Sequence, residues 1–167
     1  MRASSRIHLV AVFVCSLLLP SCAMNQAKRD FSYFRGSTKA FDTFEVDVSV
    51  EEAHRLVEEG ARNCYAQEAA RGLAPVAGIM VPTLGAAVTV ESEPFTTGTM
   101  TGMSTRVGAG NSINYVPMFQ VDIAQLQQKS KVVIYYEFRD QKSNGRQFGD
   151  VVAWVAGDTE HCTKRRK

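Results

Sequence analysis

The sequence predicts an α+β domain: an antiparallel sheet of about 4–5 strands with two helices packed on one face, in the order β-α-β(3–4)-α. Three observations carry this reading. A strictly alternating segment, Phe44-Glu45-Val46-Asp47-Val48, runs straight into a helix N-cap signal. The segment Lys131 to Arg139, KVVIYYEFR, is the strongest β-forming stretch of the chain. A second helical pattern follows over about Arg146 to Ala156.

In chain order, Ser49-Val50-Glu51-Glu52 matches the capping box, with Ser49 as N-cap and Glu52 at N3, and a helix continues to about Glu68. Ala53, Leu56, Val57, Gly60, Ala61, Cys64 and Tyr65 recur at helical spacing and define its buried face. Gly60 on that face suits close approach to a sheet. Glu51–Arg55 and Glu58–Arg62 are acid-first i,i+4 pairs. Residues 72–90 carry no charge. Their Gly and Pro content points to a loop with one or two buried strands; a membrane-touching loop and a true span are the alternatives. Thr96 to Val107 is polar and Thr-rich and reads as an exposed strand or hairpin. A turn cluster at 108–112 precedes a strand over Asn114 to Ile123, with Phe119, Val121 and Ile123 on one face. Gln125 to Ser130 connects it to the 131–139 strand, in which Val132, Ile134, Tyr136 and Phe138 face inward, and the two strands form a hairpin. Asn144-Gly145 breaks the chain before the second helix. That helix packs through Phe148, Val151, Val152 and Val155, with Trp154 at the edge of the face and Gly157 at C′.

The 167 residues are 45% hydrophobic and 22% charged, a globular rather than disordered or polytopic composition. The formal charge of +2 excludes a broad basic surface for nucleic acid. Even that charge is local. Arg2 and Arg6 lie at the N-terminus and Lys164, Arg165, Arg166 and Lys167 form a basic tail; without these six, 13 Lys and Arg stand against 17 Asp and Glu. Such a tail is either a solubilising extension or a contact for an anionic surface: lipid head groups or an anionic envelope polymer.

Arg2 and Arg6, followed by the apolar run from Ile7 to Leu19, have secretory-signal architecture, too short for a stable span. The run ends in Leu19-Pro20-Ser21-Cys22, which resembles the lipobox of bacterial lipoproteins. The resemblance implies cleavage after Ser21 and lipidation of Cys22 by a diacylglyceryl group and an N-linked acyl chain such as palmitate. The mature chain is then anchored to a membrane facing the periplasm. Ala23, in place of Asp, implies the outer membrane. The expected organisation is therefore a signal peptide at 1–21, a lipid-anchored tether at 22–42, one α+β domain at 43–162 and the basic tail at 163–167. Phe31, Tyr33, Phe34, Phe41 and Phe44 interrupt the tether region and either pack on the domain edge or rest at a membrane interface or partner. The order of elements, with a lipidated N-terminus, resembles the helix-grip arrangement of START-like domains and of outer-membrane assembly lipoproteins.

Of four cysteines, Cys15 leaves with the signal peptide and Cys22 is the lipid acceptor. Cys64 and Cys162 remain, and an oxidising compartment favours a disulfide between them. A redox pair fits poorly, because both lie near helix C-termini, where the dipole disfavours a thiolate. Metal binding is not expected, since His54 and Cys64 are too far apart along one helix to share a site. No Walker A, GxGxxG, HExxH or Gly-x-Ser-x-Gly pattern occurs. Glu91 and Glu93 share a strand face but read as exposed carboxylates, and His54 as a solvated helix residue. The function expected is that of a non-catalytic binding or accessory module with no cofactor. Its partners are the membrane and another envelope protein or polymer. The alternative is a carrier of a lipid or other apolar ligand.

Overall fold

The computed structural model describes residues 30–36, 41–68, 71–76, 79–97, 100–110, 114–137 and 140–163. Its elements are α1 (Ser32–Arg35), β1 (Phe41–Val46), α2 (Val50–Tyr65), β2 (Arg71–Val76), β3 (Ile79–Leu84), β4 (Ala87–Thr97), β5 (Met100–Gly110), β6 (Tyr115–Leu126), β7 (Lys129–Tyr136) and α3 (Gln141–Val155). β4 to β7 form an antiparallel meander and β1 adds beside β7, giving a five-stranded sheet in the order β1-β7-β6-β5-β4. β2 and β3 make a separate hairpin. The fold class is α+β, as the sequence predicts.

Alternation places Phe119, Val121 and Ile123 of β6 and Val132, Ile134 and Tyr136 of β7 on one face. There they join Val57, Ala61 and Tyr65 of α2 and Val151, Trp154 and Val155 of α3 in one core. The two long helices thus share a face of the sheet. α2 begins where the capping signal sets it, with the Ser49 hydroxyl accepting from the Glu52 N–H at 3.2 Å. Only half of the box closes, because the Glu52 carboxylate turns to Arg55 instead. Arg55 also bonds Glu59, so the expected Glu51–Arg55 pair is replaced by Glu52–Arg55–Glu59. Glu58–Arg62 forms as expected, at 2.6 Å.

Several expectations are corrected. α3 starts at Gln141, not near Arg146, because the Asp140 carboxylate accepts from the Lys142 and Ser143 N–H groups and caps the helix upstream of Asn144-Gly145. Trp154 is not at the edge of the packed face but at its centre, fully buried, whereas Val152 is exposed. Gly60 admits α3 rather than a sheet: a methyl group there would overlap the Trp154 ring. Thr96 to Val107 does form a hairpin, between β4 and β5, but it is not exposed throughout: Ser104, Thr105, Arg106 and Val107 are buried. The 72–90 segment is two hairpin strands followed by the start of β4, and Ile79 and Met80 are exposed rather than buried. Phe138 lies outside the described residues.

Gly145 lies inside α3, and nothing would contact an added methyl group there within 4 Å. Gly145→Ala should therefore raise the unfolding free energy by about 0.5–1 kcal/mol, through helix propensity and a less flexible unfolded chain. A urea titration that finds no gain would show that this turn of α3 is not helical in solution.

The far face of the sheet is covered too. Phe31 and Phe34, at the ends of the single turn α1, are buried, and Phe34 stacks on Tyr135 with ring centroids 6.4 Å apart. Residues 30–36 therefore dock on the domain, although they fall within the segment expected to be tether.

Candidate functional site

The α2 helix and the segment after α3 are clipped together by a disulfide between Cys64, at the last turn of α2, and Cys162, with Cα atoms 5.4 Å apart. The Trp154 indole N–H donates to the His161 carbonyl at 2.9 Å, and Asp150 accepts from the Thr163 N–H and hydroxyl. The segment after α3 is thus stitched back along the helices. Cys22, the signal segment and Lys164 to Lys167 lie outside the described residues.

Under α1 the sheet carries a buried polar network. Asp122 accepts from Arg35 Nε at 2.6 Å and Nη2 at 3.1 Å, from the Ser104 hydroxyl at 2.6 Å and from the Gln120 amide at 2.8 Å. Arg106 pairs with Glu91 and lies 4.3 Å from the Phe31 ring centroid, a cation–π contact. Glu91 is therefore bound into an ion pair, not a free partner for Glu93 in acid–base chemistry. None of this network was legible as a site. Gln120 and Asp122 alternate with Phe119, Val121 and Ile123, so by parity they read as solvent-facing; α1 covers them instead.

On the helix face, His54 is buried, not solvated, and its Nε2 has no hydrogen-bond partner, with the Glu58 carboxylate 3.9 Å away. Burial holds its pKa below the ordinary 6.5, against the opposing pull of Glu58 and of a backbone hydrogen bond at Ser104. The folded state thus favours neutral His54. Its contribution is complete above pH 6.5 and is lost as the pH falls through the lower folded value. Stability should therefore decline as the pH falls from 6.5 to that folded value and level off below it, and His54→Gln should flatten that part of the profile. An unchanged profile in thermal melts across the range would contradict this burial.

Ser92 and Thr105 exchange a hydroxyl contact at 3.2 Å close by. No family model, curated protein or solved structure matches the chain. Function is therefore argued from the surface itself.

The feature best suited to binding lies along β1. Its inner side pairs with β7, and among the described residues no strand pairs with its outer side. Beside it runs a groove of about 340 Å³ between β1 and the end of α3, with apolar walls from Phe44, Val46, Val48, Val152, Val155 and Ala156. Glu45 and Asp47 add acidic groups to it. Phe148 packs edge-on against Phe44, one of the groove walls, with ring centroids 5.6 Å apart. An open row of strand amides next to an apolar trough is a template for pairing with an extended segment.

Proposed function

We propose that this chain is a bacterial cell-envelope lipoprotein, anchored through lipid on Cys22 and acting as a non-catalytic accessory module that binds another envelope protein. The outer membrane, facing the periplasm, is the site the residue after Cys22 favours. The observation that carries the binding role is the outer edge of β1, which no strand among the described residues pairs with, running along the apolar groove. The partner that fits is an extended segment pairing antiparallel or parallel with β1, presenting apolar side chains to Val152 and Val155 and basic ones to Glu45 and Asp47. The Cys64–Cys162 disulfide supports an oxidising compartment. The packing of Trp154, Tyr65 and Phe119 between helices and sheet favours an outer-surface partner over a lipid carried inside.

Two measurements test this. Metabolic labelling with palmitate should mark the chain, and Cys22→Ala should abolish the label and release the protein from membranes. A photo-crosslinking residue in place of Val152 should capture one discrete envelope protein in cells, while the same residue in place of Thr101, on the β4–β5 hairpin at the other edge of the sheet, should not. Equal capture at both positions removes the β1 groove as the binding site.

A further inference from the structure

The sheet face beneath α1 is built around a carboxylate rather than around apolar side chains. Glu93, Ser104 and Asp122 are direct partners across β4, β5 and β6, so they share this face, and Arg106 and Gln120 are partners two residues further along it. Asp122 is buried and is set by the sheet itself: its Oδ1 accepts from the Ser104 hydroxyl at 2.6 Å and from the Gln120 amide at 2.8 Å. Arg106 is committed to Glu91. Asp122 and Glu93 therefore give this part of the face a negative charge that Arg106 does not balance.

Arg35 of α1 fills that place. Its Nε and Nη2 donate to the two oxygens of Asp122, a two-point fork that suits a guanidinium and not an ammonium. Its Cζ lies 4.4 Å from the Phe95 ring centroid, so an aromatic face covers the cation. Gly102, opposite Phe95 on β5, makes room for that ring: a methyl group there would overlap it. The occupant is held less firmly than the cradle. α1 is four residues long, has no side-chain N-cap and leaves Arg35 a quarter exposed. A single turn does not sustain itself, so its seat depends on the burial of Phe31 and Phe34. The Gln120 amide oxygen is fully buried and has no hydrogen-bond partner among the described residues. The same amide group bonds Asp122, so the resident side chain leaves an acceptor of the cradle unmet.

We propose that this cradle is a binding site for an arginine side chain of another polypeptide, and that Arg35 is its resident, exchangeable occupant. The segment Phe31-Ser32-Tyr33-Phe34-Arg35 shows what the incoming chain must carry: an arginine with one aromatic residue immediately before it and another four positions before it. An aspartate–phenylalanine cradle of this kind selects arginine over lysine, because the planar fork is matched twice, once by the carboxylate and once by the ring. The site lies on the sheet face opposite α2 and α3, and depends neither on the β1 groove nor on lipid at Cys22.

The test uses the full chain. Arg35→Ala vacates the cradle while Asp122 keeps its Ser104 and Gln120 donors. Titrating this variant with an acetylated, amidated peptide copying residues 31–35, followed by NMR, should show saturable binding of one equivalent. The same peptide ending in lysine should bind about tenfold more weakly, the loss of one charge-assisted hydrogen bond. Adding Phe95→Leu to Arg35→Ala should also weaken binding, since it removes the ring and leaves the carboxylate. In the isotopically labelled parent protein, the Arg35 Nε–H signal is identified by its absence from Arg35→Ala. It should move toward the position of free arginine as unlabelled peptide is added. No saturable binding to Arg35→Ala, equal binding of the lysine peptide, or an Arg35 signal that stays in place under excess peptide overturns the proposal.

Discussion

Asp122→Ala should lower the unfolding free energy by about 3 kcal/mol, a large effect for a residue that sequence parity places on the solvent side. The carboxylate is buried and accepts four hydrogen bonds, from Arg35, Ser104 and Gln120. Its removal leaves the Ser104 hydroxyl and Gln120 amide without their acceptor beneath α1. Arg35 is a quarter exposed and recovers part of its hydration, which holds the cost below that of breaking a fully buried pair. Arg35→Ala should therefore cost less than Asp122→Ala, since Asp122 keeps two of its donors. Trypsin should cut after Arg35 faster in Asp122→Ala than in the parent protein. A urea titration showing Asp122→Ala within 0.5 kcal/mol of the parent, the usual scatter for surface substitutions, would mean that α1 does not cover the sheet.

The second large effect is expected from the disulfide. Cys64 and Cys162 are separated by 98 positions, so the bridge restrains nearly the whole domain in its unfolded state. The chain-entropy account assigns a loop of this length about 4–5 kcal/mol. Reduction, or the paired change Cys64→Ser with Cys162→Ser, should lower the urea midpoint accordingly. The native fold should survive in the absence of denaturant, because the Trp154–His161 and Asp150–Thr163 bonds hold the same segment independently. Free thiols in the native protein, together with a midpoint indifferent to reductant, would refute the bridge.

What the sequence discloses and what it hides follow from the range of the forces involved. The fold class, the Ser49 cap and the Cys64–Cys162 pair rest on local periodicity, a cap signal four residues long and the count of cysteines, all readable along the chain. The polar underside of the sheet is different. Gln120, Asp122 and Arg106 are buried because a four-residue helix far away in sequence lies over them, and a single turn carries no periodic signal of its own. The start of α3 is hidden for a related reason. Asn144-Gly145 has turn composition, but the Asp140 cap and the packing of Val151 and Trp154 override it. Gly60 is recognisable as a site of close approach, while the identity of the neighbour, Trp154, depends on how the two helices meet.

The first strand finds its partner, β7, only when the chain has emerged past Tyr135, and α1 rests on the same late strand through Phe34. Neither end of the sheet's covering can form early, and the long loop that joins them must close against its own entropy before the pairing returns anything. A chain wired in this way stays open for most of its synthesis. It then closes late and as a unit, with the strand edge of β1 exposed as a pairing hazard until β7 arrives.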